Sequence, residues 1–223
     1  VPGLTPEARL KLETVIELIA ADPRSLTSVR EPAEAWRAHV ADSLTGLEVP
    51  ALRGASTIAD LGAGAGFPGL VLAVSLPQAQ VDLIESVARK CDFMRDAIAT
   101  AGIENARVVH ARSEEHAAAE GREAYDAVTA RAVARLATLA ELASPLLLPG
   151  GKLVAWKGRR DPQEEAELEA ALDATAMEAG EVLEVGESAG YKHRHLHILR
   201  KSGPTPENLP RRPGMAKKRP LGA

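Results

Sequence analysis

Three glycines at alternate positions, Gly62, Gly64 and Gly66, follow an apolar run that ends at Asp60, and Pro68 comes just after them, where a first helical turn tolerates proline. Residues 57–70 therefore combine a strand, a glycine turn and a helix start, and such a turn lets backbone lie close to a nucleotide-like ligand. A dinucleotide fingerprint, G-x-G-x-x-G, needs its third glycine at the position held by Phe67. A second apolar run ends at Glu85, 25 residues after Asp60 and followed by Ser86. A strand-end carboxylate can accept both hydroxyls of a ribose, which supports a nucleoside ligand without choosing its class.

The tighter G-x-G-x-G spacing, with Asp60 two residues before the first glycine, resembles motif I of methyltransferases that use S-adenosylmethionine (SAM). That resemblance implies cofactor contacts from Asp60, Gly62, Gly64, Gly66, Phe67, Glu85 and Ser86. Ser113 and Glu114 follow the third strand, where such enzymes hold the adenine. The same residues are equally good chemistry for capping and starting a short helix. After the fourth strand, residues 129–134 contain neither the Asn/Asp-Pro-Pro-aromatic tetrad associated with exocyclic amines nor the cysteine needed for pyrimidine C5. Arg131 instead puts a cation beside the methyl-transfer position, so we assign it a positioning role toward substrate or cofactor and expect no general base.

These residues need a frame of alternating elements. Residues 4–21 have helical periodicity with Thr5-Pro6 as cap and first turn, and a second helix is expected over about 31–47. Strands are expected at 56–60, 80–85, 106–110, 125–130, 151–156, 181–186 and 194–200. Helices are expected at 67–76, 87–101, 135–147 and 162–178. Strands separated by helices imply a parallel sheet with right-handed crossovers, and the short link before the last strand implies an antiparallel hairpin. The expected fold is an α/β class I SAM-dependent methyltransferase, Rossmann-like: seven mostly parallel strands, helices on both faces and an antiparallel last strand. Its parts are an N-terminal helical extension (1–50), a SAM-binding domain (51–201) and a basic C-terminal tail (202–223).

Composition narrows the partners. With 45% apolar residues in 223, the chain can bury a core, and no apolar stretch approaches the roughly 18 residues that span a bilayer. A soluble cytoplasmic protein without a membrane partner is expected, and the lack of an apolar interface stripe points to a monomer. The lone Cys91 excludes an internal disulfide framework and reads as packing. His193, His195 and His197 share one strand face, but without a cysteine or carboxylate at ligand spacing no metal is expected. Residues 192–223 hold nine Lys or Arg against a single acid, Glu207, on a chain of net charge −4. The remainder is therefore acidic, and a basic tail on an acidic body suits a polyanion gripped locally.

Asp60-Leu61-Gly62-Ala63-Gly64-Ala65-Gly66-Phe67-Pro68-Gly69, Arg131-Ala132-Val133-Ala134, Trp156-Lys157-Gly158 and the upstream Trp36 to Leu44 stretch together resemble the GidB family, the bacterial 16S ribosomal RNA guanine-N7 methyltransferases. The ending, 204–221, resembles the tail found in many members. The resemblance covers nearly the whole chain. It implies SAM-dependent methylation of a guanine N7 in the 530 loop, with 16S ribosomal RNA or the small subunit as partner. It also places His39, Asp42 and Ser43 at the mouth of the site, with Lys157; direct substrate contact and a packed helix end with a buried His–Asp hydrogen bond are both open for the first three. Lys192, Arg194, Arg200, Lys201, Arg211, Arg212, Lys217, Lys218 and Arg219 are expected to touch phosphates, and Phe67, Trp36, Tyr125 and Trp156 are the candidate stacking surfaces. A small-molecule methyltransferase and a noncatalytic RNA-binding assembly factor are the competing readings.

Overall fold

The computed structural model describes residues 4–23, 26–186 and 193–222; Lys192, expected to touch phosphate, lies outside the described residues. Seven strands, β1 (Thr57–Leu61), β2 (Gln80–Glu85), β3 (Ala106–His110), β4 (Tyr125–Arg131), β5 (Leu147–Lys157), β6 (Met177–Val185) and β7 (Arg194–Lys201), form one sheet. Their spatial order is β3-β2-β1-β4-β5-β7-β6. β1 to β5 pair in parallel, and β7 inserts antiparallel between β5 and β6. This is the class I methyltransferase arrangement expected from the sequence. The order reverses between β1 and β4, and the crevice at such a switch point is where ligands bind in open α/β sheets.

The sheet is covered on both faces because its strands alternate. Ile58 on β1 joins a core with α1 (Pro6–Ala21), α5 (Gly69–Ser75) and α6 (Ala88–Ala101), while its neighbours Ala59 and Leu61 join the opposite core with α8 (Leu136–Ala143) and α9 (Pro162–Thr175). Cys91 is buried in α6 and its thiol donates to the Glu85 carbonyl at 3.2 Å. α7 (Ser113–Ala117) follows β3, and α10 (Met215–Lys218) lies near the end of the chain. Arg112, one residue earlier than expected, holds the cap position of α7, and its N–H donates to Glu115 at 3.0 Å.

β5 and β6 start earlier than expected, and the helices before them end earlier, because irregularities in the ladders keep glycine and proline within the strands. α8 ends at Ala143 and β5 starts at Leu147, the register shifting between Tyr125 and Ala127 opposite Pro149 and Gly150. β6 starts at Met177, four residues early, with a shift between Ala179 and Val182 around Gly180.

The N-terminal extension breaks its helix type as it crosses the strand ends. α2 (Pro32–Ala35) passes into a π-helical segment (Trp36–Ala41), then α3 (Asp42–Leu44), a 3-10 turn (Thr45–Glu48) and α4 (Pro50–Arg53). The Ser43 hydroxyl donates to the His39 carbonyl (2.5 Å), and the Thr45 hydroxyl donates to the Asp42 carbonyl (2.6 Å) where the 3-10 turn begins. Trp156, at the end of β5, lies beneath this run and donates its indole N–H to the Asp42 carbonyl at 3.0 Å. Gly46 leaves room for that ring: a Cβ there would stand 2.5 Å from Trp156 Cζ2. Gly46→Ala should therefore cost about 1–3 kcal/mol through overpacking against a rigid ring, measurable as a lower denaturation midpoint. An unchanged midpoint would show that the two elements are not in this contact.

Candidate cofactor and substrate site

The carboxyl ends of the parallel strands stand level, because Leu61 pairs with Ile84 and Ala130, Glu85 with His110, and Arg131 with Trp156. Two cavities open above them, of about 480 and 600 Å³, and both reach Gly62. The first lies over β2, β3 and α8; the second lies between the glycine turn and the N-terminal extension.

The three glycines divide the work of the turn. Gly62, Gly64 and Gly66 all have positive φ (+68°, +63° and +97°), which β-carbon-bearing residues rarely adopt. A Cβ at Gly62 would also press on Val133 at 2.9 Å, so this residue is needed for packing as well. At Gly64 the nearest atom to such a Cβ is a carbonyl oxygen 3.8 Å away, so this glycine leaves bare backbone facing the second cavity. Phe67 closes the turn.

Asp60 supports the turn from below and does not reach either cavity. It is 0% exposed, and its carboxylate accepts from the Gly69 N–H at 2.9 Å and the Thr129 hydroxyl at 2.8 Å. Burial pushes its pKa up to about 6, against the opposing effect of those two hydrogen bonds. A direct cofactor contact from Asp60 is therefore corrected to a turn-holding role. Gly69, whose amide it fixes, opens α5 and lines neither cavity; a Cβ there would stand 2.8 Å from the Asp60 carboxylate.

Glu85 is nearly buried at the wall of the first cavity. One oxygen accepts from the amides of Ser86 and Val87 (2.8 and 2.9 Å), and the other accepts from Gly64 N–H at 3.1 Å with Lys90 3.8 Å away. Its orientation is thus set by backbone, with lone pairs left for further donors. Ser113 and Glu114 line the same cavity, and the Ser113 hydroxyl donates to Glu114 at 3.0 Å.

The second cavity is built between the N-terminal segment, the glycine turn and the residues at the ends of β4, β5 and β7 that face it. Arg131 donates to the Ala38 carbonyl (3.0 Å) and to Asp42 (2.8 Å), and it also reaches His39 Nδ1 at 3.3 Å. Asp42 is 0% exposed, and its second oxygen forms an ion pair with Arg194 Nε at 2.7 Å. His39 stacks on Phe67, with centroids 4.8 Å apart and planes 16° from parallel. Burial, and then the Arg131 charge, depress His39 to a pKa of about 4, so it is neutral near pH 7. With Nδ1 accepting from Arg131, the Nε2–H tautomer donates to the Thr27 hydroxyl at 3.2 Å. Lys157, also at the cavity, donates to the Ala134 carbonyl and to Glu164.

Several expected polyanion contacts lie elsewhere. Asp42 and Ser43 are fully buried and support the cavity wall from behind. Lys201 is 0% exposed, its ammonium held by Glu123 (2.8 Å), the Leu147 carbonyl (2.7 Å) and Thr205 (2.6 Å), so it cannot meet a phosphate. Arg200 pairs with Glu178 at the opposite end of the sheet, where β7 meets the start of β5. Arg211 is committed to Glu141, while Arg212, Lys217, Lys218 and Arg219 are exposed. Of the candidate stacking surfaces, Phe67 and Trp156 line the second cavity, whereas Tyr125 and Trp36 line neither, the Trp36 ring lying under the Arg9 guanidinium at 5.0 Å. Among the described residues no group of three or more metal-ligating side chains is assembled, and no helix is long and apolar enough to cross a membrane.

Comparison with known proteins follows this geometry. The family described as GidB, rRNA small subunit methyltransferase G, matches residues 12–197. The Ribosomal RNA small subunit methyltransferase G of Rubrobacter xylanophilus is 43% identical over 94% of this chain and 82% of its own length. That of Pelotomaculum thermopropionicum is 40% identical over 88% and 83%. In fold, a SAM dependent methyltransferase from Aquifex aeolicus superposes with a TM-score of 0.60 at 18% identity, covering 81% of this chain and 98% of the other.

Two outcomes test the second cavity. Asp42→Asn leaves two guanidinium groups facing an uncharged amide and should cost about 3–5 kcal/mol in a denaturant titration; a midpoint near that of the parent would contradict the clamp. As pH falls from 6.5 to 4, the unfolded chain protonates His39 while the native chain does not, so stability should decline across that window. His39→Gln should flatten this decline, and an identical slope would refute a buried neutral imidazole.

Proposed function

The chain belongs to the GidB family of rRNA small subunit methyltransferases, and from that premise we propose that it transfers the methyl group of SAM to N7 of a guanine in the 530 loop of 16S ribosomal RNA. The observation that carries this reading is the pair of cavities meeting at Gly62: one is walled by a strand-end carboxylate and short polar side chains, the other by a flat aromatic pair among cations. The first fits an adenosyl group, with Glu85 receiving ribose hydroxyls and Ser113 and Glu114 beside the purine. The bare backbone at Gly64 fits the remainder of the cofactor, whose sulfonium supplies an electrophilic methyl group.

The second cavity fits the acceptor. The His39–Phe67 stack offers a face to a purine taken out of its RNA stack. Arg131 and Lys157, both held by protein partners, place positive charge where O6 or a phosphate would lie. Guanine N7 carries an in-plane lone pair and no proton at neutral pH, so no base is required. The geometry agrees with that, because both His39 nitrogens and both Asp42 oxygens are already engaged. Holding nucleophile and methyl carbon in line at roughly 3 Å would supply most of the acceleration. The exposed Arg212, Lys217, Lys218 and Arg219 suit phosphates, which orient the RNA without identifying its sequence.

Incubation with methyl-labelled SAM and small-subunit RNA or particles should put label on one guanine N7, at a saturated rate flat between about pH 6.5 and 8.5 because no base titrates. Label on protein, on a small metabolite or on a different base atom would reject the proposal, and a rate rising tenfold per pH unit would reject the base-free step.

A further inference from the structure

The basic tail was expected to serve a polyanion alone, yet Pro213, Gly214, Ala216, Lys217 and Lys218 line the first cavity, facing the ends of β2 and β3. This segment is fastened to the elements that surround that cavity. The Gly214 amide donates to Glu114 Oε1 at 2.7 Å, while Ser113 holds the other oxygen of the same carboxylate. Gly214 has φ +81°, a conformation that a side chain would strain, so glycine is what lets this amide turn inward. The Thr138 hydroxyl of α8 donates to the Ala216 carbonyl at 3.3 Å. Arg211 forms a two-pronged pair with Glu141 of α8, itself 3% exposed, at 2.6 and 2.5 Å, and also donates to the Arg219 carbonyl.

Ordering a segment costs about 1–2 kcal/mol per residue in backbone entropy, and a loose arm for phosphates would need none of these anchors. They are explained if the segment must hold one shape at the cavity. We propose that residues 213–218 form a wall of the nucleoside half of the cofactor site and position its purine, with the Gly214–Glu114 hydrogen bond as the clasp. Gly214 and Ala216 are then positioning residues for a purine nucleoside, in addition to any role of the neighbouring lysines toward RNA. This rests on the methyl-donor reading of the first cavity given above.

Calorimetric titration of the full chain and of a chain ending at Arg212, with S-adenosylhomocysteine and with 5′-methylthioadenosine, tests it. Loss of the wall should weaken both compounds by about tenfold or more, the worth of one good polar contact. Equal affinity in the two chains would overturn it. If the shortened chain does not fold, amide hydrogen exchange of the intact chain decides: saturation with S-adenosylhomocysteine should slow exchange at 213–218 together with 62–66. Slowing at 62–66 alone would overturn the wall and leave the methyl-donor reading standing. No binding of either compound by the intact chain would overturn both.

Discussion

Asp42 is a carboxylate with no exposed surface, clamped between Arg131 at the end of β4 and Arg194 at the start of β7. Burying that charge would cost several kcal/mol if it were unpaired, so the two guanidinium groups and the carboxylate have to be brought in together. Trp156 adds a hydrogen bond to the Asp42 carbonyl from the end of β5. The result is that an element from the first fifth of the chain is fixed across the carboxyl ends of strands from its second half. Without it, Phe67 would lack its His39 partner and the second cavity would lack a wall.

The same interactions sort the cations. A count of Lys and Arg suggests a tail given over to polyanions, but Arg131, Arg194, Arg211 and Lys201 are each held by a buried or half-buried carboxylate. Among the described residues of the basic end, Arg200 is exposed beside Glu178, and Arg212, Lys217, Lys218 and Arg219 stay exposed near the first cavity. If that stretch also shapes the nucleoside site, removing the whole tail would impair donor binding and acceptor binding alike. Substituting the exposed lysines separates the two effects.

Periodicity and turn chemistry made most of the sheet legible in the sequence. The short apolar runs at 80–85 and 106–110 are strands within those bounds, and the alternate glycines mark the turn at which both cavities meet. Less was legible where a residue's partner is distant. Asp60 stands at the right place in the motif, but its partners, Gly69 and Thr129, turn it away from the cavities. Lys201 continues a basic pattern, and only folding shows that Glu123 and Thr205 surround it. Glu141 lies within an apolar helical run and carried no signal, because its meaning comes from Arg211 seventy residues later. Charge type is written in the sequence; which charges are spent on one another is set by packing.

A crystal structure of this chain with S-adenosylhomocysteine addresses the division of labour at Gly62 most directly. The purine should lie in the first cavity between Glu85 and residues 111–114, with the sulfur at the glycine turn and open toward His39 and Phe67. A purine seated in the second cavity, or a sulfur facing away from the His39–Phe67 stack, would contradict the assignment of donor and acceptor sides.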